Sequence, residues 1–285
     1  MGNTETIDKL INQVKSLPPL PQIAHKTLAL LRDPKSNMVD IANLIGKDQL
    51  MTSTVLSWAN SAHYGVPHKV TTVHQAIMYL GQVTVQTIVF NACMSTYLNR
   101  PLPGYGLERG DLWKHSIGVA TGARLIVAKY GKTMSEEAYF SGLLCDIGKL
   151  AFDIALRGTD IDNETWQDKP FEQTEKEVFG INHAALGSQI AQSWMLPESI
   201  CNAITFHHEP SKAEKDVEII TAAVHVADLA TMMMGLGIGR DGLLYAPDPK
   251  AFEVLKFEEN DLPNLLDKIA EYVRQVASEF GLGEI

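Results

Sequence analysis

Leu143-Leu-Cys-Asp-Ile-Gly-Lys149 runs an apolar helix into a carboxylate, a glycine and a lysine within four residues. A charge set against an apolar run needs a partner or a role, because an isolated buried charge is strongly unfavourable. On both sides the apolar residues keep the 3.6-residue period, predicting helices over residues 135–144 and 147–156. Farther out the same period predicts helices over 111–130, 183–194, 197–206 and 217–233, and no two-residue alternation of a strand interrupts them. The fold class is therefore read as all-α.

The first hundred residues continue the pattern in shorter pieces. Asn37 with Asp40 has an N-cap arrangement, Met38, Ile41, Ala42 and Ile45 share one face, and Gly46 supplies a stop. Asp48 caps a second segment carrying Met51, Val55, Trp58 and Ala62; Thr72 and Gln75 have capping-box spacing ahead of Ile77, Leu80 and Gly81. A long apolar helix is expected over 83–98. Arg100-Pro-Leu-Pro-Gly-Tyr-Gly106 then concentrates proline and glycine as a connector does, dividing an N-terminal lobe (1–100) from a larger lobe (107–285). The last helix is the clearest: Asp261 caps it, and Leu265, Leu266, Ile269, Tyr272, Val273, Val276 and Phe280 form an apolar stripe, either core or a partner-binding face. Residues 157–170 and 235–249 are longer than helix connections usually are, which marks them as candidate functional or mobile segments.

Composition excludes several classes. Hydrophobic residues make up 45% and charged residues 20%, ordinary for a globular chain. The formal charge of −10, with no lysine or arginine cluster, argues against direct nucleic-acid binding but leaves room for a local basic pocket. No basic region followed by an apolar run opens the chain and no stretch has the length of a membrane span, so a cytoplasmic address without membrane attachment is expected. Three cysteines, Cys93, Cys145 and Cys201, lie far apart, and reduced thiols are the expectation.

Of nine histidines, five fall in the second lobe among acidic residues. Asp111 and His115, four apart, share a helix face, as metal ligands or as a plain surface pair. Asp146 suits a hard or borderline metal, and Lys149 a phosphate or developing oxyanion; the alternative is an ordinary ion pair at a helix start. His183 opens a small-residue helix in which Gly187 permits close packing. His207 and His208 are adjacent, and both can ligate only where the helix ends, as Pro210 indicates. Asp228, alone in an apolar helix, implies burial with a partner, while His225 is expected at the surface or against a neighbouring helix. Imidazoles and carboxylates from separate helices can build an iron, manganese or zinc site that activates water and binds phosphate oxygens.

His115, then Cys145-Asp146, then Asp228 resemble the ordered H…HD…D signature of the HD phosphohydrolases, with cysteine where the family has the second histidine. Asp111, His183, His207 and His208 resemble further ligands of the HD-GYP branch, whose GYP segment is absent after Pro210. Leu17-Pro-Pro-Leu-Pro21, Asp48, Ala59-Asn-Ser-Ala-His-Tyr-Gly65 and Ala76-Ile-Met-Tyr-Leu-Gly81 are similar to the motifs of HDOD domains, the HD-related output domains of signalling proteins, over about residues 17–232. The bare residues also read as turn chemistry at Asn60, Ser61 and Gly65 and as a packed extended proline segment at 17–21, a polyproline ligand being the alternative.

The resemblance implies a two-lobed helical bundle with an HD-like C-terminal lobe, acting as a bacterial signalling output module with a partly retained divalent-metal site (Fe, Mn or Zn). Its partners would be signalling proteins or a small phosphate or nucleotide ligand. The alternative is an active metal-dependent phosphohydrolase or cyclic-nucleotide phosphodiesterase, with Asp146 and Lys149 as catalytic residues and Asp111, His115, Asp146, His183, His207, His208 and Asp228 on the metals. A third reading is a metal-free scaffold whose histidines hydrogen-bond in the core. Cys145, on a shorter arm than imidazole, is expected not to reach the metal, though a zinc-bound thiolate remains the competing reading.

Overall fold

The protein's computed structural model describes residues 10, 17–32, 37–61, 64–157, 169–239 and 244–280. Among these residues there are helices and short 3-10 turns but no strand, with one antiparallel bridge between Leu102 and Leu107. No single described helix is long and apolar enough to cross a membrane. The described residues group into two units, one of residues 10, 17–18 and Leu98–Arg274, the other of Pro19–Tyr97 and residues 275–280.

The shorter unit contains α1 (Gln22–Arg32), α2 (Met38–Ile45), α3 (Gln49–Ala59), α4 (Val73–Leu80) and most of α5 (Gln82–Leu98). Its starts are capped as the sequence indicates. Asn37 and Asp40 form a reciprocal capping box, Asp48 accepts the Met51 N–H, and Thr72 pairs with Gln75. Asn60 closes α3 and then staples the following loop: its amide donates to Leu56 O and Val70 O, and its Oδ1 accepts the Val70 N–H at 2.8 Å. The HDOD-like Asn60 motif thus performs turn chemistry, while Ala62 and His63 lie outside the described residues. Residues 18–21 are non-helical, and Pro19 O accepts from the Tyr97 hydroxyl at 2.9 Å.

The longer unit is built on α6 (Asp111–Val127), which packs against α7 (Lys132–Leu144) and against α12 (Glu218–Met233). Small residues allow the close crossings; a Cβ on Gly118 would lie 2.6 Å from Thr231 Cγ2. Around this core stand α8 (Lys149–Arg157), α9 (Phe171–Phe179), α10 (His183–Ser193), α11 (Glu198–Phe206), α13 (Pro249–Leu255) and α14 (Leu262–Glu279). Leu265, Ile269, Val273 and Val276 are buried, so the stripe on α14 is core.

Several local readings need correction. The helix expected over 111–130 ends at Val127 and finishes as a 3-10 turn, Ala128–Tyr130. Asp261 does not cap α14; its carboxylate turns back to the Glu258 N–H at 2.9 Å, closing a 3-10 turn before the helix. Helices α1, α9 and α13 follow proline-containing segments and were not expected from the apolar period. The Arg100–Gly106 stretch, read as a connector, is packed onto the longer unit. Tyr105 is fully buried, and the Gly104 N–H donates to Asp153 Oδ1 at 2.7 Å. Residues 158–168 and 240–243, within the two long segments read as functional or mobile, lie outside the described residues.

The tightest approach joins α10 to the turn before α8. A Cβ on Gly148 would lie 1.9 Å from His183 O and 2.7 Å from Gly187 N, both rigid backbone atoms. Gly148→Ala must push these segments apart and is expected to cost about 3 kcal/mol, against about 1 kcal/mol for Gly187→Ala, whose Cβ would meet its nearest atoms only at 3.1 to 3.3 Å. Urea unfolding of the two variants measures this; equal costs would contradict the packing described.

Candidate metal centre

The helix α7 ends at Leu144, and the turn that follows buries Asp146, only 2% exposed. Four elements bring basic groups to its carboxylate. Lys149 Nζ lies 2.8 Å from Oδ2, His115 Nε2 on α6 lies 3.3 Å from Oδ2, and His183 Nε2 at the start of α10 lies 3.3 Å from Oδ1. His207 Nε2, just past α11, is 3.9 Å from Oδ1. Asp228 on α12 completes the group, its Oδ1 2.9 Å from His115 Nε2. Ligand atoms of Asp146, His183, His207 and His208 all lie within 4.8 Å of one another, close enough to hold a metal ion.

The outer ring nitrogens show which faces are aimed inward. His115 Nδ1 is 3.0 Å from Leu236 O, His207 Nδ1 is 2.7 Å from Ile204 O, and His183 Nδ1 is 2.8 Å from Glu175 Oε2. Each partner accepts, so each Nδ1 carries a proton and each Nε2 faces the cluster; on His183 and His115, whose pKa values are raised, a metal would displace the Nε2 proton. Ligating histidines are typically held in this way, by a carbonyl or carboxylate behind the ring. His225 is the contrast. Its Nδ1 donates to His207 O at 2.8 Å and its Nε2 accepts the Asp248 N–H at 2.9 Å, which uses both nitrogens. It is buried against neighbouring segments, not at the surface, and supports the loop carrying His207.

Protonation follows from the charges. Burial alone would raise Asp146, yet Lys149, His183 and His115 hold it well below the usual carboxylate range. Burial would lower His183, but Glu175 and Asp146 raise it to about 10. Burial lowers His207 to about 4 and, with the adjacent imidazoles, lowers His208 well below its ordinary value. His207 Nε2 is buried without a hydrogen-bond partner, and His183 Nε2 and His208 Nε2 face each other at 2.9 Å. A buried acceptor without a donor is costly, and a divalent cation among these nitrogens would satisfy it. The donor set fits a metal.

One expected ligand, Asp111, stands apart, and Cys145 points away from the cluster. Asp111 is not brought into the cluster; its Oδ2 accepts the Glu108 N–H at 2.8 Å at the start of α6. Cys145 is fully buried among Val119, Ala123, Ala138, Ala203 and Ala227, and its thiol donates to Gly142 O at 3.2 Å. Burial, reinforced by Asp146 and Asp228, pushes that thiol well above its ordinary value, so it is not a thiolate.

Two supporting residues escaped the sequence reading. Glu175 on α9 is wholly buried and accepts three donors: Tyr105 Oη at 2.6 Å, His183 N at 2.6 Å and the His183 ring at 2.8 Å. A signal was present, since Phe171, Glu175 and Phe179 are four apart and share the buried face. Tyr245 stacks on His208 with ring centroids 4.8 Å apart; nothing in the sequence distinguished it.

The model of the HDOD domain matches residues 17–210. The chain belongs to the HDOD family. A relative from Treponema pallidum (strain Nichols), an uncharacterized protein, is 23% identical over 240 residues; the match covers 79% of this chain and spans 44% of the relative. An HDOD domain protein of unknown function from Geobacter sulfurreducens is 25% identical, superimposes with a TM-score of 0.68, and the match covers 98% of this chain and 93% of that one. A candidate signal-transduction protein from Marinobacter aquaeolei VT8 is 18% identical with a TM-score of 0.75, covering 97% of this chain and 65% of that one. A candidate phosphohydrolase from Shewanella amazonensis SB2B is 22% identical with a TM-score of 0.66, covering 96% and 98%. The latter two likenesses establish the HDOD fold alone.

If Glu175 orients the His183 ring, Glu175→Gln should weaken binding of Mn²⁺ or Zn²⁺ by about 10- to 100-fold, the usual cost of losing such a support. Cys145→Ala should leave affinity unchanged. Isothermal titration with each metal gives both values; equal loss in the two variants would contradict the assignment.

Proposed function

We propose that this HDOD protein is a signal-transduction output module whose longer unit holds one divalent metal, Fe, Mn or Zn, as the anchor for a small phosphate-bearing ligand. Asp146, His183, His207 and His208 would hold the metal, with His115 and Asp228 beside them. The observation that carries the reading is the orientation of three buried imidazoles, each with Nδ1 tied to an acceptor and Nε2 turned toward Asp146. When bound, such an ion supplies Lewis acidity and a positive charge to which a phosphate oxygen can bind. Lys149 lines the adjacent cleft with Tyr105, His208 and Asp228, and adds a second positive charge for the same anion.

The regulatory reading is preferred over turnover because of Cys145. Where the related hydrolases place a second ligand histidine, this chain puts a neutral thiol into an alanine- and valine-lined core. A catalytic site needs an open coordination position and correctly oriented supports. The phosphohydrolase reading keeps one observation in its favour, Lys149 beside Asp146 at the cleft. Signalling proteins as partners belong to the same proposal, supported by the family and by the Marinobacter likeness.

Titration calorimetry with inorganic phosphate tests the proposal. Manganese-loaded protein should bind phosphate, while metal-stripped protein and Asp146→Asn should each lose at least about tenfold in affinity, roughly 1.4 kcal/mol. Loaded protein should not turn over bis(p-nitrophenyl) phosphate. Phosphate binding indifferent to the metal would overturn the anchor, and multiple turnovers lost in Asp146→Asn would establish the enzyme instead.

A further inference from the structure

Next to the metal cleft lies a second cavity, of about 400 Å³, that no part of the preceding reading uses. Its walls come from α12, from the segment around Tyr245 and from the region between α13 and α14. Met232, Met233, Phe252, Phe257 and Tyr245 line it, and among the described residues Glu259 is the one charged residue on its surface. The volume lies within the range of small-molecule sites. Phe252 and Phe257 meet edge to face, with centroids 6.1 Å apart, giving two fixed aromatic walls, while the methionines supply an adaptable one. Tyr245 and Met232 line both this cavity and the metal cleft, and the Tyr245 ring stacks on His208.

We infer that this cavity is a binding site for a small molecule with an apolar body and no negative charge. The apolar lining removes hydrocarbon or aromatic surface from water, contributing about 25 cal/mol per Å² buried. Among the described residues its lining offers an anionic head no cation, and the Glu259 carboxylate repels one. The site therefore selects neutral or amine-bearing apolar molecules against fatty acids and other anionic amphiphiles. A molecule seated there touches Tyr245, and through it the ring of His208. The cavity is also distinct from the phosphate anchor in chemistry, so the two proposals stand or fall separately.

Two fluorophores of nearly the same apolar body test the inference on the full chain: neutral N-phenyl-1-naphthylamine and 1-anilinonaphthalene-8-sulfonate, which adds a sulfonate. The neutral probe should bind saturably, one per chain, and the sulfonate at least about tenfold more weakly. Leu229→Trp, at a half-buried position on the cavity wall, should lower affinity for the neutral probe at least about tenfold. Glu259→Gln, at an exposed rim position, should strengthen sulfonate binding alone. Circular dichroism checks that both variants fold; should Leu229→Trp not fold, Met233→Trp, at a position 59% exposed, replaces it. Stripping metal should leave probe binding unchanged. Absence of saturable binding, equal affinity for the two probes, or affinity for the neutral probe unaffected by the tryptophan would overturn the inference.

Discussion

A carboxylate buried inside a helical bundle constrains everything around it. Asp146 is withdrawn from water by the turn after α7, and removing an ion from water costs several kcal/mol unless opposite charge and hydrogen bonds replace the solvent. The replacement comes from Lys149 on α8, His115 on α6 and His183 on α10, none farther than 3.3 Å. His183 can come so close because Gly148 has no side chain, so that the backbone of α10 lies directly against the Asp-Ile-Gly turn. Packing and electrostatics are one arrangement here: the glycine contact sets His183 over the carboxylate, and Glu175 and that carboxylate together raise His183 to about 10.

The next layer explains why the cluster is a site and not merely a satisfied ion network. Glu175 spends its acceptors on Tyr105, on the His183 backbone and on the His183 ring, fixing that ring from behind. Carbonyls do the same for His115 and His207. A network built only to neutralise Asp146 would not leave His207 Nε2 buried without a donor among the described residues. His225 shows what a structural histidine does in the same core, with a partner on each nitrogen.

Much of this was legible in the sequence. Capping residues at Asn37, Asp48 and Thr72 announce their helices because an N-cap is a local event. Asp146 and Asp228 stand out because a carboxylate in an apolar run needs a partner. What was not legible depends on tertiary context. Asp111 and His115 share a helix face, yet the Asp111 carboxylate turns back to the Glu108 N–H just ahead of its helix. Cys145 adjoins Asp146 in sequence, but successive residues diverge in direction and its thiol turns into the core. Tyr105 looked like part of a proline-glycine connector, and its hydroxyl ends 70 residues away on Glu175. Spacing alone could not supply that distance.

X-ray absorption at the metal edge of the loaded protein tests the central claim most directly. The account predicts one ion per chain in a shell of nitrogen and oxygen only, at about 2.0–2.2 Å for zinc, with the outer-shell scattering of several imidazoles. A sulfur scatterer near about 2.3 Å would place the Cys145 thiolate on the metal, and a chain that takes up no ion would leave the histidines as core residues; either result would contradict it.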